Sequence, residues 1–444
     1  MATGSATVGA SPPTICAGNE EPRTGGQVNG RDDITGRWRW AQGCAAAAVW
    51  CLPALTLTLP KGLLPFGLLL LFSTLLVPGR MVAGARTAGW PLLLAAAAAL
   101  FALAVAFASS WILGVDPGEV DSRDRVLVLP WVLLWAWVLR PPLAWLWRGA
   151  LAGLVAAALI ALVQVLGGAE RAAGWGNAIV FADVVLLLMV LAVFCRPPGG
   201  ARWAVAGVAL GIVAVVLSGT RGTWPGLLVL LALAVLGSGW KSRGRRFAVL
   251  AAAVVGAAAL VVAVPGLTER MRLAELHQDI VRIDRGDHDS SAGARLERLE
   301  VAASAFVAQP WTGVGFAHFD RAMQRLPECR RIPAAERCRL GHAHNDLAEW
   351  AATMGIPGVL ALAGLYGVPL WLFLRLRREA LAIAGRGGCL RGPATAGAVL
   401  VVVFALCGLT QSMFAHQTTT SVYAALVGLL LGLALHEART SAKR

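Results

Sequence analysis

Long apolar runs alternate with short polar segments through most of this amino-acid sequence. The runs have about 17–25 residues, the length that an α-helix needs to cross a hydrocarbon core of roughly 30 Å. The polar breaks are rich in Gly, Pro and Arg, which are poor lipid-exposed helix. The pattern predicts an all-α polytopic membrane protein of about 12 transmembrane helices with one large, partly helical periplasmic loop. The predicted spans are 41–59, 62–78, 90–114, 126–139, 149–166, 177–195, 203–218, 223–238, 247–265, 346–374, 395–413 and 420–435.

These spans divide the chain into segments on the two sides of the membrane. The N-terminal segment is rich in Gly, Thr, Pro and charge, and it lacks the basic region and apolar core that mark a signal peptide. The first span is therefore expected to remain in the mature protein. The predicted segments are a disordered cytoplasmic tail (1–40), transmembrane helices 1–9 (41–265), a periplasmic loop that carries the catalytic elements (266–344), transmembrane helices 10–12 (345–436) and a cytoplasmic tail (437–444).

Composition and charge agree with a membrane environment. The chain is 57% hydrophobic and 14% charged, whereas roughly a quarter of the residues in soluble domains are charged. The net charge of +14 does not indicate nucleic-acid binding, because the basic residues lie mostly in short loops between apolar runs. With the N-terminus inside, this bias is typical of helices inserted in a bacterial inner membrane with both termini cytoplasmic. The basic residues of the short outside loops are only Lys61, Arg123, Arg125, Arg171 and Arg221.

The cysteines follow the same division between the two sides. Of the 8 cysteines, only Cys329 and Cys338 lie in the long outside loop. A close pair of cysteines in an oxidising periplasm favours a disulfide. Two free thiols or half of a zinc site are the alternatives. A disulfide here would hold the basic segment just before the sequence GHAHND in shape.

Charged residues near the outer membrane face are candidates for function, and the first lies in a very short turn. Arg221 belongs to the stretch SGTRGTW, residues 218–224, between two predicted spans. Its guanidinium is a planar, permanently charged donor that suits phosphate or pyrophosphate. The alternative is an Arg that snorkels from a helix end.

The second candidate lies in the long loop, on an amphipathic helix predicted over residues 295–308 and ended by Pro310. Arg295 and Leu299 are four residues apart on one face, so Arg295 is expected to border the buried side. Arg298 and the two neighbouring Glu residues point elsewhere and indicate a solvated face. The alternative is that Arg295 is solvated too.

The third candidate is the stretch GHAHND, residues 341–346, directly before a predicted span. Histidine is the side chain best suited to proton transfer near neutral pH. His342 and His344 also raise the possibility of a metal site. However, residues two apart do not share a helix face, and no nearby cluster of carboxylates and histidines completes such a site. One histidine is therefore expected to transfer protons while the other is merely polar.

Taken together, these stretches resemble the O-antigen ligase and polymerase superfamily. The pattern of that family is an SG-x-R turn, then an Arg about fifteen residues before P-x-x-G-x-G, then a large periplasmic loop that ends in His-Asn at a helix start. The resemblance covers roughly residues 165–365, and Leu299 departs from it because the family often has an aromatic residue there. The matching residues are Ser218–Arg221, Arg295, Pro310, Gly313, Gly315, His344 and Asn345, with Arg171, Gly174 and Asn177 as an R-x-x-G…N element.

The resemblance implies a reaction at the outer membrane face. An O-antigen ligase transfers a polysaccharide from undecaprenyl pyrophosphate to a sugar hydroxyl of the lipid A–core oligosaccharide. Arg221 and Arg295 would stabilise the leaving pyrophosphate electrostatically, in the place where other glycosyltransferases use a divalent metal, and no cofactor is implied. His344 would accept the proton of the acceptor hydroxyl as general base, in a single displacement with inversion. Asn345 would orient the imidazole, and Arg171 would add to the phosphate-binding charge.

Further substrate contacts are predicted in the long loop. Gly313 and Gly315 belong to the family pattern, and a basic cluster precedes the His-Asn pair. This cluster is expected to receive the anionic phosphates and acidic sugars of the acceptor's inner core, and a solvated face balanced by Glu328 and Glu336 is the alternative. Its members are Arg321, Arg325, Arg330, Arg331, Arg337 and Arg339.

Three other functions stay open at this point. An O-antigen polymerase uses the same donor but lengthens another lipid-linked chain, and a protein oligosaccharyltransferase belongs to the same superfamily. The moderate size of the loop and its Arg cluster favour a phosphorylated lipid A–core as acceptor. A transporter of lipid-linked sugars is disfavoured, because such proteins carry charged residues deep in several spans and Asp183 is the main such residue here.

Overall fold

A computed structural model describes residues 32–114, 124–236, 291–332, 341–384 and 392–441, together with Gly244 and Cys338. The predicted span at 247–265 and the first part of the predicted periplasmic loop lie outside the described residues. Within the described ranges the regular structure is helical and no β-strand is present. The prediction of an all-α protein is therefore confirmed.

Each predicted span that falls in the described ranges coincides with a helix, because an uninterrupted apolar run satisfies its backbone hydrogen bonds only within itself when the surroundings are apolar. Short 3-10 turns at Arg125–Leu127, Arg221–Thr223 and Met413–Ala415 lead into three of the helices. The helices are α1 (Asp32–Leu55), α2 (Leu64–Leu76), α3 (Pro78–Ala88), α4 (Trp90–Ile112), α5 (Val128–Leu139), α6 (Leu143–Leu166), α7 (Ala178–Phe194), α8 (Ala201–Leu217), α9 (Trp224–Leu236), α10 (Ser291–Ala308), α11 (Phe319–Met323), α12 (Pro327–Arg331), α13 (Asp346–Ala384), α14 (Pro393–Gly408) and α15 (Gln417–Ser441).

The apolar helices fall into two groups by length. Four of them in the described residues, α4, α6, α13 and α15, are long and apolar enough to cross a membrane, and α2 with α3 makes a fifth if this pair, bent by 93°, is one span. Shorter apolar helices of 10–17 residues, such as α7 and α14, rise by roughly 15–26 Å at 1.5 Å per residue. That is less than a hydrocarbon core of roughly 30 Å. The chain has helices fit for a membrane, and the number of about 12 spans stays a prediction.

Two helices are buried on all sides by the others. Residues 181–194 of α7 and residues 422–435 of α15 are buried without interruption. A helix that is apolar all round is typical of such a central position. α7 packs against α6, α8 and α14, while α15 packs against α5, α13 and α14. These contacts bring the ends of α7, α13, α14 and α15 together, and the candidate site lies there.

A break near the start of α13 anchors the loop helix α10. Gly355 has a φ of 66° inside α13, and the next residue donates its N–H to the Pro310 carbonyl at 2.7 Å. The N–H groups of residues 314–315 donate to the carbonyls of residues 352–353 at 2.9 and 3.1 Å. The segment after α10 is therefore bonded through its backbone to the broken helix.

Glycine is required at two points of this docking. A Cβ on Gly355 would lie 2.3 Å from the Pro310 carbonyl oxygen, and a Cβ on Gly313 would lie 2.2 Å from the Thr353 carbonyl carbon. Both glycines also have positive φ, which costs other residues roughly 1–2 kcal/mol. Gly313 of P-x-x-G-x-G and Gly355 of α13 thus let two backbones approach, and the predicted substrate contact of Gly313 and Gly315 stays a prediction.

Candidate active site

The turn that carries Arg221 is built on buried hydroxyl groups. Ser218, Thr220 and Thr223 are between 0 and 4% exposed. Thr220 Oγ1 donates to the Ala178 carbonyl at 3.2 Å, which ties the turn to the first residue of α7. Ser and Thr side chains stabilise a tight turn because they bond to nearby backbone groups. Arg221 is thus presented from a fixed backbone.

Arg171 braces the same turn from the neighbouring loop. Its Nε donates to the Ser218 carbonyl at 2.8 Å, and its Nη2 donates to Thr220 Oγ1 at 3.1 Å. The structure therefore brings Arg171 beside Arg221. It also gives Arg171 a positioning contact that the sequence did not indicate, since the two residues belong to loops on either side of α7 and α8.

Three guanidinium groups, those of Arg171, Arg221 and Arg295, line one pocket. Burial, followed by the charges of Arg221 and Arg171, lowers the pKa of Arg295. Like charges held this close raise each other's energy, and an anion that binds among them removes that cost. The pocket is therefore suited to a phosphate or pyrophosphate group. The rest of its wall consists of Ile179, Gly219, Thr220, Gly222 and Thr410.

His344 stands directly before α13 in a left-handed backbone conformation, with φ 55°. Hydrogen bonds on both sides fix this conformation. Asn345 Oδ1 accepts from the Ala348 N–H at 3.0 Å, and Glu349 Oε2 accepts from the Ala343 N–H at 2.6 Å. Such bonds at a helix start satisfy backbone donors that the helix leaves open. The base candidate is therefore held by the start of the helix that follows it.

The imidazole of His344 is hydrogen-bonded to the side chain of Gln411. His344 Nδ1 lies 2.5 Å from Gln411 Oε1. The Asn345 side chain caps α13 and donates from Nδ2 to the Leu409 carbonyl at 2.9 Å. The bonds of the Asn345 side chain thus go to α13 and to Leu409, and its orientation of the imidazole stays a prediction.

Three histidines cluster at this point, because His342 lies 4.3 Å from His344 and 5.2 Å from His416 between ring centroids. Burial is the main cause that lowers the pKa of each, to about 3 for His342 and about 4 for His344. The charge of Arg298 lowers the first two further. The imidazole of His344 is then neutral near pH 7 and able to accept a proton. Among the described residues, no group of three or more His, Cys, Asp or Glu side chains is arranged to hold a metal ion.

α10 turns a different face inward from the one that its leucines indicate. Arg298, predicted to be solvated, is only 8% exposed, whereas Leu296 and Leu299 are 37% and 38% exposed. Arg295 is half-buried beside it. Apart from Arg298, the buried face consists mostly of small residues, and it packs against α13. Leucines identify the buried face of a helix reliably only when the opposite face meets water. The solvated role of Arg298 is thus corrected.

A second basic pocket lies on the long loop. Cys329 and Cys338 form a disulfide with their Cα atoms 5.5 Å apart, and this bond constrains the segment that carries Arg330. Arg331 is exposed, and Arg337 and Arg339 lie outside the described residues. The pocket is lined by Arg321, Arg325 and Arg330, with Leu113, Gln309, Val314 and Gln324.

Residues 206–363 match the family model described as O-antigen ligase. This match supports a relationship to the O-antigen ligase/polymerase superfamily. The matched region includes Arg221, Arg295 and His344, while Arg171 precedes it and Gln411 follows it. An uncharacterized protein of Haemophilus influenzae is 26% identical over 171 residues, which cover 38% of this chain and 42% of that protein. The chain thus matches less than half the length of this curated relative.

Three polar residues of the site were missed by sequence reasoning: Arg298, Gln411 and His416. Arg298 looked like one of several charges on a solvated helix. Gln411 and His416 lie between the last two helices, where no charge or motif drew attention. A polar Gln and His at a helix junction on the side predicted to be outside was the available signal.

Proposed function

We propose that the protein is a glycosyltransferase that moves O-antigen polysaccharide from undecaprenyl pyrophosphate to a sugar hydroxyl of lipid A–core oligosaccharide. The transfer takes place at the periplasmic face of the bacterial inner membrane and completes lipopolysaccharide. The observation that carries the proposal is the pocket of Arg171, Arg221 and Arg295 with a neutral His344 within electrostatic reach of Arg295. The family match supports the same class of reaction.

The three guanidinium groups supply the electrostatic part of the proposed reaction. The bond between the anomeric carbon and the pyrophosphate oxygen breaks, and the electron pair leaves with the pyrophosphate. Planar guanidinium donors bind phosphate oxygens in pairs, and they are placed before charge develops. Fixed positive charge of this kind lowers the barrier by stabilising the leaving group in the transition state.

His344 supplies the acid–base part. The acceptor hydroxyl attacks the anomeric carbon from the opposite face, and its proton passes to the imidazole, so the product has inverted configuration. In the protein alone, burial and the charges of Arg298 and Arg295 hold the pKa of His344 at about 4. A bound pyrophosphate adds negative charge nearby and raises that pKa, which makes the imidazole a stronger base when the donor is present.

The acceptor side of the proposal rests on the second basic pocket. Arg321, Arg325 and Arg330 line it together, and the disulfide constrains the segment that carries the last of them. The phosphates and acidic sugars of an inner core would bind there by charge-assisted hydrogen bonds. A polymerase acceptor, which is another lipid-linked chain, would make less use of this pocket.

Reconstitution tests the proposal directly. Purified protein in proteoliposomes, given undecaprenyl-pyrophosphate-linked polysaccharide and lipid A–core, is expected to form lipopolysaccharide in the presence of a chelator. Arg221→Ala, Arg295→Ala and His344→Ala are each expected to abolish transfer, whereas Arg375→Ala, a matched change at an exposed Arg paired with Glu379, is expected to leave it intact. Near-normal activity of His344→Ala would falsify the role of this residue as general base.

A deletion strain separates the ligase from its rivals. Loss of polymer from lipopolysaccharide together with accumulation of lipid-linked polymer supports the ligase. Lipopolysaccharide that carries a single repeat would instead identify a polymerase. Movement of lipid-linked sugar across the proteoliposome membrane without transfer would identify a transporter, and either result would overturn the proposal.

A further inference from the structure

The loop between α14 and α15, residues 409–416, touches both parts of the candidate active site. Thr410 Oγ1 donates to the Gly222 carbonyl at 3.1 Å, next to the Arg221 turn. Ser412 Oγ accepts from the Asn345 N–H at 3.2 Å, next to His344. Gln411, between these two contacts, is bonded to the His344 imidazole itself. This loop lies outside the matched O-antigen ligase domain.

Gln411 is fully buried, with 0% of its surface exposed, and its amide makes two hydrogen bonds to histidines. Its Oε1 lies 2.5 Å from His344 Nδ1, and its Nε2 lies 2.8 Å from His416 Nε2. An amide oxygen only accepts and an amide nitrogen only donates. With the amide oxygen facing His344, His344 Nδ1 carries a proton, and His416 Nε2 is the unprotonated nitrogen of a neutral ring.

These two bonds set the chemistry of the His344 ring. A neutral imidazole with a proton on Nδ1 has its lone pair on Nε2. The ring is held at one edge by Gln411 and leaves the other nitrogen to act as acceptor. The other end of the amide bonds to His416 Nε2, so the Gln411 side chain is held at both ends.

We propose that Gln411 is a positioning residue for the transfer reaction: it holds His344 in the Nδ1–H tautomer, so that Nε2 takes the proton of the acceptor hydroxyl. This inference rests on the proposed function of the site. The arrangement resembles the way a carboxylate orients the histidine of a hydrolase triad, but the partner here is a neutral amide. An amide orients the ring without adding a negative charge that would pair with Arg295 or Arg298 and repel an anionic donor.

Two variants of Gln411 distinguish orientation from mere packing. Gln411→Leu keeps the approximate shape and removes both hydrogen bonds, so we expect transfer to fall by about 10²-fold or more, the scale of general-base catalysis. Gln411→Glu still accepts a hydrogen bond from His344 Nδ1 and should recover part of the lost rate. Its carboxylate also raises the pKa of His344, because negative charge favours the imidazolium.

The pH profile provides the readout that a structural role would not change. Activity needs neutral His344 and is lost as pH falls through its pKa, so the acid limb of Gln411→Glu should lie at higher pH than that of the wild type. Donor binding and the thermal midpoint are measured for every variant, and Gln417→Leu in the same region is the matched control with an exposed Gln. An unshifted limb, or a Gln411→Leu enzyme as fast as the wild type, overturns the assignment.

Nitrogen NMR tests the tautomer without any transfer reaction. Protein labelled with ¹⁵N only at its 7 histidines is compared with His344→Ala to assign the signals of His344. We expect a protonated Nδ1 in the wild type and a shift toward Nε2–H in Gln411→Leu. A wild-type ring protonated on Nε2 refutes the inference. If the ring is Nδ1–H but no glycan is transferred, the proposed function fails while the hydrogen-bond assignment stands.

Discussion

The residues proposed to perform the chemistry depend on the positive charge of the arginines and on which nitrogen of His344 carries the proton. The guanidinium groups of Arg171, Arg221 and Arg295 line one pocket, and their arrangement depends on buried hydroxyls and on Arg171 as a brace. His344 depends in the same way on Gln411. The consequence is that neutral, buried residues around the site should matter nearly as much as the charged ones.

The pKa of His344 leads to a prediction at this scale. The value of about 4 means that the free protein keeps a neutral imidazole down to that pH. We expect the acid limb of kcat/KM for the donor, which reports the free enzyme, to fall near pH 4. The limb of kcat should lie at higher pH, because the bound pyrophosphate raises the pKa. Both limbs are measured by radiolabelled donor transfer from about pH 3 to 8, and coincident limbs would contradict this prediction.

At the scale of elements, the important relation is that between α10 and α13. Arg295 lies on the first and His344 precedes the second, so their separation is set by how the two helices dock. The docking uses backbone hydrogen bonds between residues 310–315 and the break at Gly355. The site therefore depends on a joint that contains no catalytic side chain.

Gly355→Ala tests this joint. The added Cβ would lie 2.3 Å from the Pro310 oxygen, at a φ of +66°, so we expect a loss of stability beyond the roughly 1–2 kcal/mol of left-handed strain. The thermal midpoint should fall, and transfer should fall with it because Arg295 moves away from His344. Gly367→Ala, in the same helix with no atom within 4 Å of the added Cβ, is the control. Equal behaviour of the two variants would show that the joint tolerates a side chain.

The disulfide gives a second prediction for an element. It closes the segment that follows α11 and carries Arg330, which belongs to the second basic pocket. Replacing Cys329 and Cys338 by Ser should raise the KM for lipid A–core several-fold and leave the KM for the donor unchanged. Cys44→Ser, at a half-buried free cysteine, serves as control. A change in the donor KM instead would assign the segment to the other substrate.

At the scale of the whole molecule, the candidate residues collect at one end of the helices. The loop of residues 167–177, the Arg221 turn and the loop of residues 409–416 all meet there. The positive-inside pattern predicts that this end faces the periplasm. Among the described residues, Arg80, Arg140 and Arg439 lie together at the opposite end.

Labelling of single cysteines tests this orientation. The background is a protein in which every cysteine except the disulfide pair Cys329–Cys338 is replaced. Ala169→Cys and Ala201→Cys are then introduced one at a time; the two positions lie at opposite ends of α7 and α8, and both are exposed. We expect an impermeant maleimide to label position 169 in intact spheroplasts and position 201 only after the membrane is opened. The reverse pattern would place the candidate site in the cytoplasm and overturn the proposed reaction.

The apolar runs predicted the helices of the described residues well, because such runs determine where a membrane helix forms. The charged residues were chosen as site candidates because charge is costly near the apolar part of a membrane. It predicted the partners of those residues poorly. Gln411 is 67 residues from His344, and no local pattern indicates which polar side chain on another loop will meet the imidazole. The buried face of α10 was misread for a related reason, since Arg298 is buried by tertiary contacts that helical periodicity does not contain.

The loop of residues 409–416 also has a consequence for biosynthesis. The ribosome synthesises Arg221, Arg295 and His344 before Gln411, which follows the histidine by 67 residues. His344 therefore lacks its hydrogen-bond partner until α14 and the loop have entered the membrane. A nascent chain would therefore carry the whole matched region, residues 206–363, before His344 has its partner. Under the proposed function, efficient glycan transfer would become available only after α14 and this loop have entered the membrane, so partly inserted protein would consume little lipid-linked donor.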